Sequence, residues 1–127
     1  MTTRATFALH MPIRDIPNSN DRGHWSINAR KHRVIRQMTK ALVKANQLTV
    51  EAPANLTLTF AFPDKRRRDL ENLSAKSLVD GAVDGGLLAD DDYTHLASVT
   101  RRLDTHKTAR GMVRITAEFV TVGTDGT

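Results

Sequence analysis

The sequence contains no cysteine, few aromatic residues and no long apolar run. The absence of cysteine excludes a disulfide scaffold, a thiolate zinc site and a cysteine nucleophile. Because no stretch reaches about 18 apolar residues, we expect no membrane span. Residues 1–4 lack the long apolar stretch of a signal peptide, and we therefore expect a cytoplasmic protein.

Two common nucleotide and hydrolase motifs are also missing from the sequence. It has no Gly-x-x-x-x-Gly-Lys loop, so we expect neither an NTPase nor a bound nucleotide cofactor. It has no Gly-x-Ser-x-Gly turn, which argues against a serine hydrolase.

The charge balance of the 127 residues is basic. Nineteen Lys and Arg residues stand against fourteen Asp and Glu residues, giving a formal net charge of +5. A small basic protein suits a polyanionic partner, most commonly nucleic acid. Basic residues also recur at helical spacing over 33–44, where a solvated helix face is an equally good interpretation.

The hydropathy pattern predicts a single α/β domain, α+β-like, over residues 1–122, with a loose tail at 123–127. The expected order is β-α-β-α-β-β, with two main helices and a small mixed sheet. The predicted strands are 5–11, 56–62, 96–103 and 112–120, and apolar residues recur at every second position in the first, second and last of them. Helices are predicted over 27–46 and from residue 69 or 70 to the glycine stop at Gly85-Gly86. The polar segment 104–111 predicts a hairpin loop that pairs the last two strands antiparallel.

Basic and acidic side chains are concentrated where the second strand ends and the second helix begins. The basic run 65–68 is followed by Asp69, Glu71 and Lys76, and an acidic run follows at 90–92. Carboxylate oxygens suit Mg²⁺ or Mn²⁺, and flanking arginines suit a phosphodiester. Acidic and basic groups placed side by side in this way are typical of a metal-dependent nuclease.

Each of these residues also has a purely structural interpretation. Asp69 can cap a helix, and Glu71 suits the positive end of the helix dipole. Lys76 can form an ordinary i,i+4 pair with Asp80, and the acidic run 90–92 can be a polar turn. The spacing alone leaves both interpretations open.

Two motifs resemble those of the RusA family of Holliday junction resolvases. The first is Arg67-Arg68-Asp69-Leu70-Glu71-Asn72-Leu73, followed by Lys76, Val79-Asp80-Gly81, Gly86 and Asp90-Asp91-Asp92. The second is Asn20-Asp21-Arg22-Gly23-His24-Trp25, which runs into Ala29-Arg30-Lys31 and is similar to the start of the first helix in phage-type members. The resemblance covers residues 18–92, well over half of the chain.

The resemblance implies a homodimeric, Mg²⁺-dependent crossover junction endodeoxyribonuclease of DNA recombination and repair, with Mn²⁺ as the alternative ion. Members of the family, often encoded by phages and prophages, bind four-way DNA junctions and nick two opposed strands symmetrically. By position in the motifs, it implies catalytic roles for Asp69, Glu71, Asp91 and Lys76. The implied metal ligands are Asp69, Glu71 and Asp91, with Asp90 beside them. The implied DNA contacts are Lys65, Arg66, Arg67, Arg68, Arg30 and Lys31.

The sequence departs from the family pattern at two positions. Glu71 stands where the best-known members have Asp, which moves the carboxylate by about one bond. Lys76 follows Glu71 with one residue more between them than in those members, so it approaches from a different angle or on a differently placed helix. Two alternatives remain open: a non-catalytic branched-DNA-binding protein that keeps the fold, and a nuclease for other branched DNA.

Overall fold

The fold is that of a computed structural model, which describes residues 2–17, 25–64 and 75–123, with the side chains of α1 described from residue 28. The described strands are β1 (Arg4–Pro12), β2 (Ala54–Ala61), β3 (Leu96–Leu103) and β4 (Met112–Thr121). The helices are α1 (Trp25–Ala45) and α2 (Lys76–Gly85), and a short 3-10 turn at Ile13–Asp15 follows β1.

The predicted fold class is confirmed, since the described elements follow in the order β-α-β-α-β-β and form one small mixed sheet with two helices. The glycine stop of α2 is also found, with Gly86 in the left-handed conformation at φ 94°. The predicted start of this helix, at residue 69 or 70, lies outside the described residues, as do residues 124–127 of the predicted tail.

The four strands lie in the order β1-β4-β2-β3. β4 runs antiparallel to both of its neighbours, β1 and β2, whereas β2 and β3 pair in parallel. β1, β2 and β3 therefore run in one direction, and their carboxyl ends lie together at one end of the sheet. We call this the carboxyl end of the sheet and the opposite one the amino end. In sheets of parallel strands, the carboxyl end is where ligand sites are usually built.

The predicted hairpin between the last two strands is wrong, because β2 lies between β3 and β4. β2 is apolar on its core side, with Leu56, Leu58 and Phe60 at most 2% exposed, and a position between two other strands suits such burial. β3 is mostly exposed, which suits an edge strand. The connection 104–111 therefore crosses the end of β2, where the Asp104 amide donates to the Phe60 carbonyl at 2.8 Å.

One face of the sheet carries the hydrophobic core. Buried residues alternate with more exposed ones along β1 and β4, as in strands covered on one side only. α1 and α2 cover this face and contribute Ile35, Val43 and Leu78 to the core. The largest fully buried side chains include Phe60, Phe119, Leu9, Leu56, Leu58 and Leu78.

The two helices run in parallel from the carboxyl end of the sheet to the amino end, and glycines of α2 form their contact. A Cβ atom added to Gly81 would clash with the backbone carbonyl oxygen of Arg36 and lie 2.7 Å from Thr39 Cβ. One added to Gly85 would lie 2.8 Å from Val43 Cβ. The absence of side chains at these two positions lets the backbones approach closely. This packing explains the Asp80-Gly81 step of the sequence motif.

We predict that Gly81→Ala destabilises the fold by about 1–3 kcal/mol, although the same change in an open helix stabilises by up to about 1 kcal/mol. The reason is that the new methyl group meets the backbone of α1, which cannot rotate away as a side chain can. Urea unfolding followed by circular dichroism measures the change.

Gly111→Asn is the control for this prediction. Gly111 has φ 76° and open space where a Cβ would lie, and Asn tolerates the left-handed region better than other side chains. We expect Gly111→Asn to lower the free energy of unfolding by much less than Gly81→Ala does. An unchanged or increased stability of Gly81→Ala would contradict the close helix contact.

Candidate functional site

A cavity of about 410 Å³ opens between the first halves of α1 and α2, at the carboxyl end of the sheet. Since both helices begin at this end, their first halves form its walls. The cavity is lined by Ala29, His32, Arg33, Arg36, Lys76, Ser77 and Asp80. Three of these side chains are cations and one is an acid, so the lining is predominantly positive.

A hydrogen bond joins the two walls of this cavity. His32 Nδ1 of α1 lies 2.6 Å from Ser77 Oγ of α2, and the tautomer of the imidazole decides which atom donates. Ser77 is only 3% exposed, and its hydroxyl is satisfied by this contact. The bond therefore holds His32 beside the first turn of α2, next to Lys76.

Arg36 is held by acids of α2. Its guanidinium donates to both carboxylate oxygens of Asp84, at 2.5 and 3.0 Å, and lies 3.8 Å from Asp80. The hydrogen bond from Arg36 lowers the pKa of the Asp84 carboxyl below its ordinary value. Arg36 therefore clamps α1 to α2, and the other cations of the cavity are Arg33 and Lys76, both exposed.

The structure places several of the predicted site residues at the carboxyl end. Lys76 is the first residue of α2 and lines the cavity. Arg30, which is exposed, and Lys31, which is half-buried, lie in the first half of α1. The predicted residues Lys65, Arg66, Arg67, Arg68, Asp69 and Glu71 lie outside the described residues. Their segment joins the end of β2 to the start of α2, and both of its attachment points are at the carboxyl end.

The acidic run 90–92 lies at the amino end. The backbone carbonyl of Asp92 accepts from the amides of His95 and Leu96, where β3 starts beside Ala54 of β2. α2 separates this run from Lys76, and its ten residues span about 15 Å. The structure thus does not bring Lys76 and Asp91 together within one chain.

The three aspartates of the run differ in their hydrogen bonds. The Asp92 carboxylate accepts from the Thr94 hydroxyl and amide and contacts His95 Nδ1 at 2.7 Å, and these contacts lower its pKa. Asp90 Oδ1 accepts from the Asp91 amide at 2.7 Å. Asp91 is exposed, and among the described residues no hydrogen bond to its carboxylate is found. Asp91 is therefore the member of the run best able to bind a ligand.

A second cavity, of about 360 Å³, lies at the carboxyl ends of β2 and β3. Its lining residues are Phe62, Asp64, Leu103, Asp104, Thr105, His106 and Lys107. Within the described parts of the chain, neither cavity contains a group of three His, Asp or Glu side chains that could hold a metal ion.

Both carboxylate oxygens of Asp104 in this second cavity are bound by neighbouring groups. One carboxylate oxygen accepts from the His106 amide at 2.9 Å and contacts His106 Nδ1 at 3.0 Å, while the other accepts from Arg114 at 3.1 Å. These contacts, the His106 amide foremost, lower the pKa of Asp104 to about 2.

Several residues of the two cavities are not predicted from the sequence. A hairpin loop over 104–111 gives Asp104 and His106 no role in a site; the Asp-x-His spacing after a strand is the available signal. His32 and Ser77 are far apart in sequence, and no local pattern connects them.

Comparison with known proteins gives no relative from which a function could be transferred. No protein-family model matches the chain, and no curated protein matches it. Among the described residues, no helix is long and apolar enough to cross a membrane.

We predict that Asp104 makes the free energy of unfolding depend on pH between about pH 4 and 2. Because its folded pKa of about 2 lies below the unfolded value of 3.8, its stabilisation is complete above about pH 4 and is lost as pH falls toward 2. Asp104→Asn should be less stable than the native chain at neutral pH, and the difference should shrink between pH 4 and 2. Urea unfolding at a series of pH values measures this difference.

Thr105→Ala is the matched control, since it alters the same turn but keeps the carboxylate and its donors. Its stability should differ from that of the native chain by the same amount at every pH. If the stability difference between Asp104→Asn and the native chain stayed constant from pH 7 to 2, Asp104 would not be the source of the pH dependence.

Proposed function

We propose that this protein is a Mg²⁺-dependent endodeoxyribonuclease that resolves Holliday junctions by paired symmetric nicks and acts as a homodimer. The observation that carries the proposal is the position of Lys76. The lysine of the RusA-like motif begins α2 and lines a positively charged cavity at the carboxyl end of the sheet. The segment that contains Asp69 and Glu71 leads directly into this helix.

The first cavity has the chemistry to hold a phosphate of the DNA backbone. Arg33 and Lys76 supply positive charge, and His32 supplies a ring nitrogen beside them. Through these groups the chain can orient a phosphodiester, and Lys76 can stabilise the negative charge that develops on it during hydrolysis.

The donor set proposed for the metal is Asp69, Glu71 and Asp91, with Asp90 beside Asp91. These are hard carboxylate oxygens, which fit Mg²⁺ and also Mn²⁺. The exposed Asp91 carboxylate, without a hydrogen bond among the described residues, suits a ligand better than Asp92 does. A bound Mg²⁺ would supply Lewis-acid stabilisation of the phosphoryl oxygens.

In this arrangement, the proposed homodimer brings together residues that lie at opposite ends of one chain. Lys76 lies at the carboxyl end of the sheet and Asp91 at the amino end of the same chain. A two-fold axis can bring the amino end of one subunit beside the carboxyl end of its partner, and does so twice. Each site would then combine the segment 65–76 of one chain with the acidic run 90–92 of the other. Two such sites suit a substrate whose two cut strands are related by near two-fold symmetry.

The separation of Lys76 from Asp91 favours one alternative. If the two chains do not combine their acidic residues in shared sites, the basic carboxyl end still binds DNA. The protein is then a branched-DNA-binding protein without nuclease activity. Cleavage with metal distinguishes this alternative from the proposed nuclease.

We predict that Asp69→Asn and Asp91→Asn each lower the nicking of a synthetic four-way junction by at least about 100-fold, because each removes a metal ligand. Binding to the junction should remain. When the two variants are co-expressed, the mixed dimer keeps one intact site, made of Asp69 from one chain and Asp91 from the other. The mixed dimer should nick one strand of the junction, and labelled strands on a denaturing gel measure this.

Glu51→Gln is the matched control, because it removes an exposed carboxylate near the amino end that the proposal does not use. The unchanged protein should nick the junction in Mg²⁺ and not in EDTA. A mixed dimer as inactive as its parents would exclude the shared site. Absence of nicking by the unchanged protein in both Mg²⁺ and Mn²⁺ would overturn the nuclease in favour of the binding protein.

A further inference from the structure

The connection 104–111 is fixed along the carboxyl end of the sheet by backbone hydrogen bonds. Its Asp104 amide donates to the Phe60 carbonyl at 2.8 Å, and its Thr108 amide donates to the Phe62 carbonyl at 3.2 Å. Its last carbonyl, that of Gly111, accepts from the Ile13 amide at 2.9 Å, just beyond β1. The connection therefore extends from β3 across β2 to the end of β1. Three strand spacings make this about 14 Å.

The exposed side chains of this connection are predominantly basic. His106, Lys107 and Arg110 are all exposed. Asp104 is the one acid in 104–111, and its carboxylate is neutralised by Arg114 and by donors of its own turn. An approaching polyanion therefore meets positive charge here, while the acid is turned toward its partners.

This connection also lies beside Asp64, the described residue from which the segment proposed to contain the catalytic acids continues. Lys107 and His106 line the second cavity together with Asp64, and Lys65 follows Asp64 directly in sequence. The other end of that segment leads to Lys76 and the first cavity. The connection thus adjoins the residue that precedes the segment 65–74, and the cavity assigned to the phosphate at the cleavage site adjoins the helix that follows it.

We propose that the connection 104–111 is a second DNA contact, which holds the phosphate backbone of a duplex arm through Lys107 and Arg110. This inference rests on the proposed DNA substrate and adds a second binding surface to it. A duplex arm is favoured over a small anion because the positive groups lie at separate positions along a connection that extends about 14 Å, and a duplex carries one charge per about 1.7 Å of its axis. The contact is to the backbone, so it holds an arm of any sequence.

The test is the salt dependence of DNA binding by Lys107→Gln/Arg110→Gln. Fluorescence anisotropy in EDTA measures the affinity for a labelled four-way junction from 50 to 200 mM salt. Losing two phosphate contacts should reduce the slope of log affinity against log salt by about 1.8. Over this fourfold range of salt, the unchanged protein should therefore lose about 12-fold more affinity than the variant.

Lys40→Gln/Lys44→Gln is the charge-matched control, since both lysines are exposed in the second half of α1, toward the amino end. Its slope should equal that of the unchanged protein. A loss of slope that is equal in the two variants, or absent in both, would overturn the proposal.

The outcomes separate this proposal from the proposed nuclease. If the unchanged protein binds the junction but does not cut it in Mg²⁺ or Mn²⁺, the nuclease proposal fails, while the slopes still decide the role of the connection. If the unchanged protein binds no DNA, both proposals fail.

Discussion

The close contact between α1 and α2 is the constraint on which the candidate site depends. Gly81 and Gly85 remove the side chains that would hold the helices apart, and Arg36 clamps Asp84 across the contact. Because the helices run in parallel, this contact also places the first turn of α2 beside the first half of α1. Lys76 and Ser77 then meet His32 and Arg33 across one cavity, although the two pairs are far apart in the sequence.

The direction of the strands determines at which end of the sheet the two cavities lie. β1, β2 and β3 run the same way, so the segments that leave them all begin at the carboxyl end of the sheet. Both cavities lie at this end, together with the attachment points of the segment 65–74. The antiparallel strand β4 does not disturb this arrangement, because it occupies the middle of the sheet and is entered through the connection 104–111. This topology therefore places the basic residues of both cavities at one end of the molecule, where they form a basic surface.

The acidic run 90–92 is the exception, and its position gives the oligomeric state a role in the proposed chemistry. It follows α2, whose length takes the chain back to the amino end. In the proposed nuclease, the metal site that includes both Asp69 and Asp91 is therefore shared between two chains. The motif residues are close in sequence, but ten residues of helix separate the ends of the motif in space.

The sequence by itself determined the types of element and their order, because the periods of its apolar residues and the glycine stop at Gly86 are local signals. It also pointed to Lys76 and to the acidic run as chemically unusual. Only the tertiary structure decided that β2 separates β3 from β4, that His32 bonds Ser77, and that Lys76 and Asp91 lie at opposite ends of the sheet. These facts depend on burying the apolar strand β2 between two others and on packing two helices through glycine. Because these contacts join residues far apart in the chain, they produce no periodic pattern in the sequence.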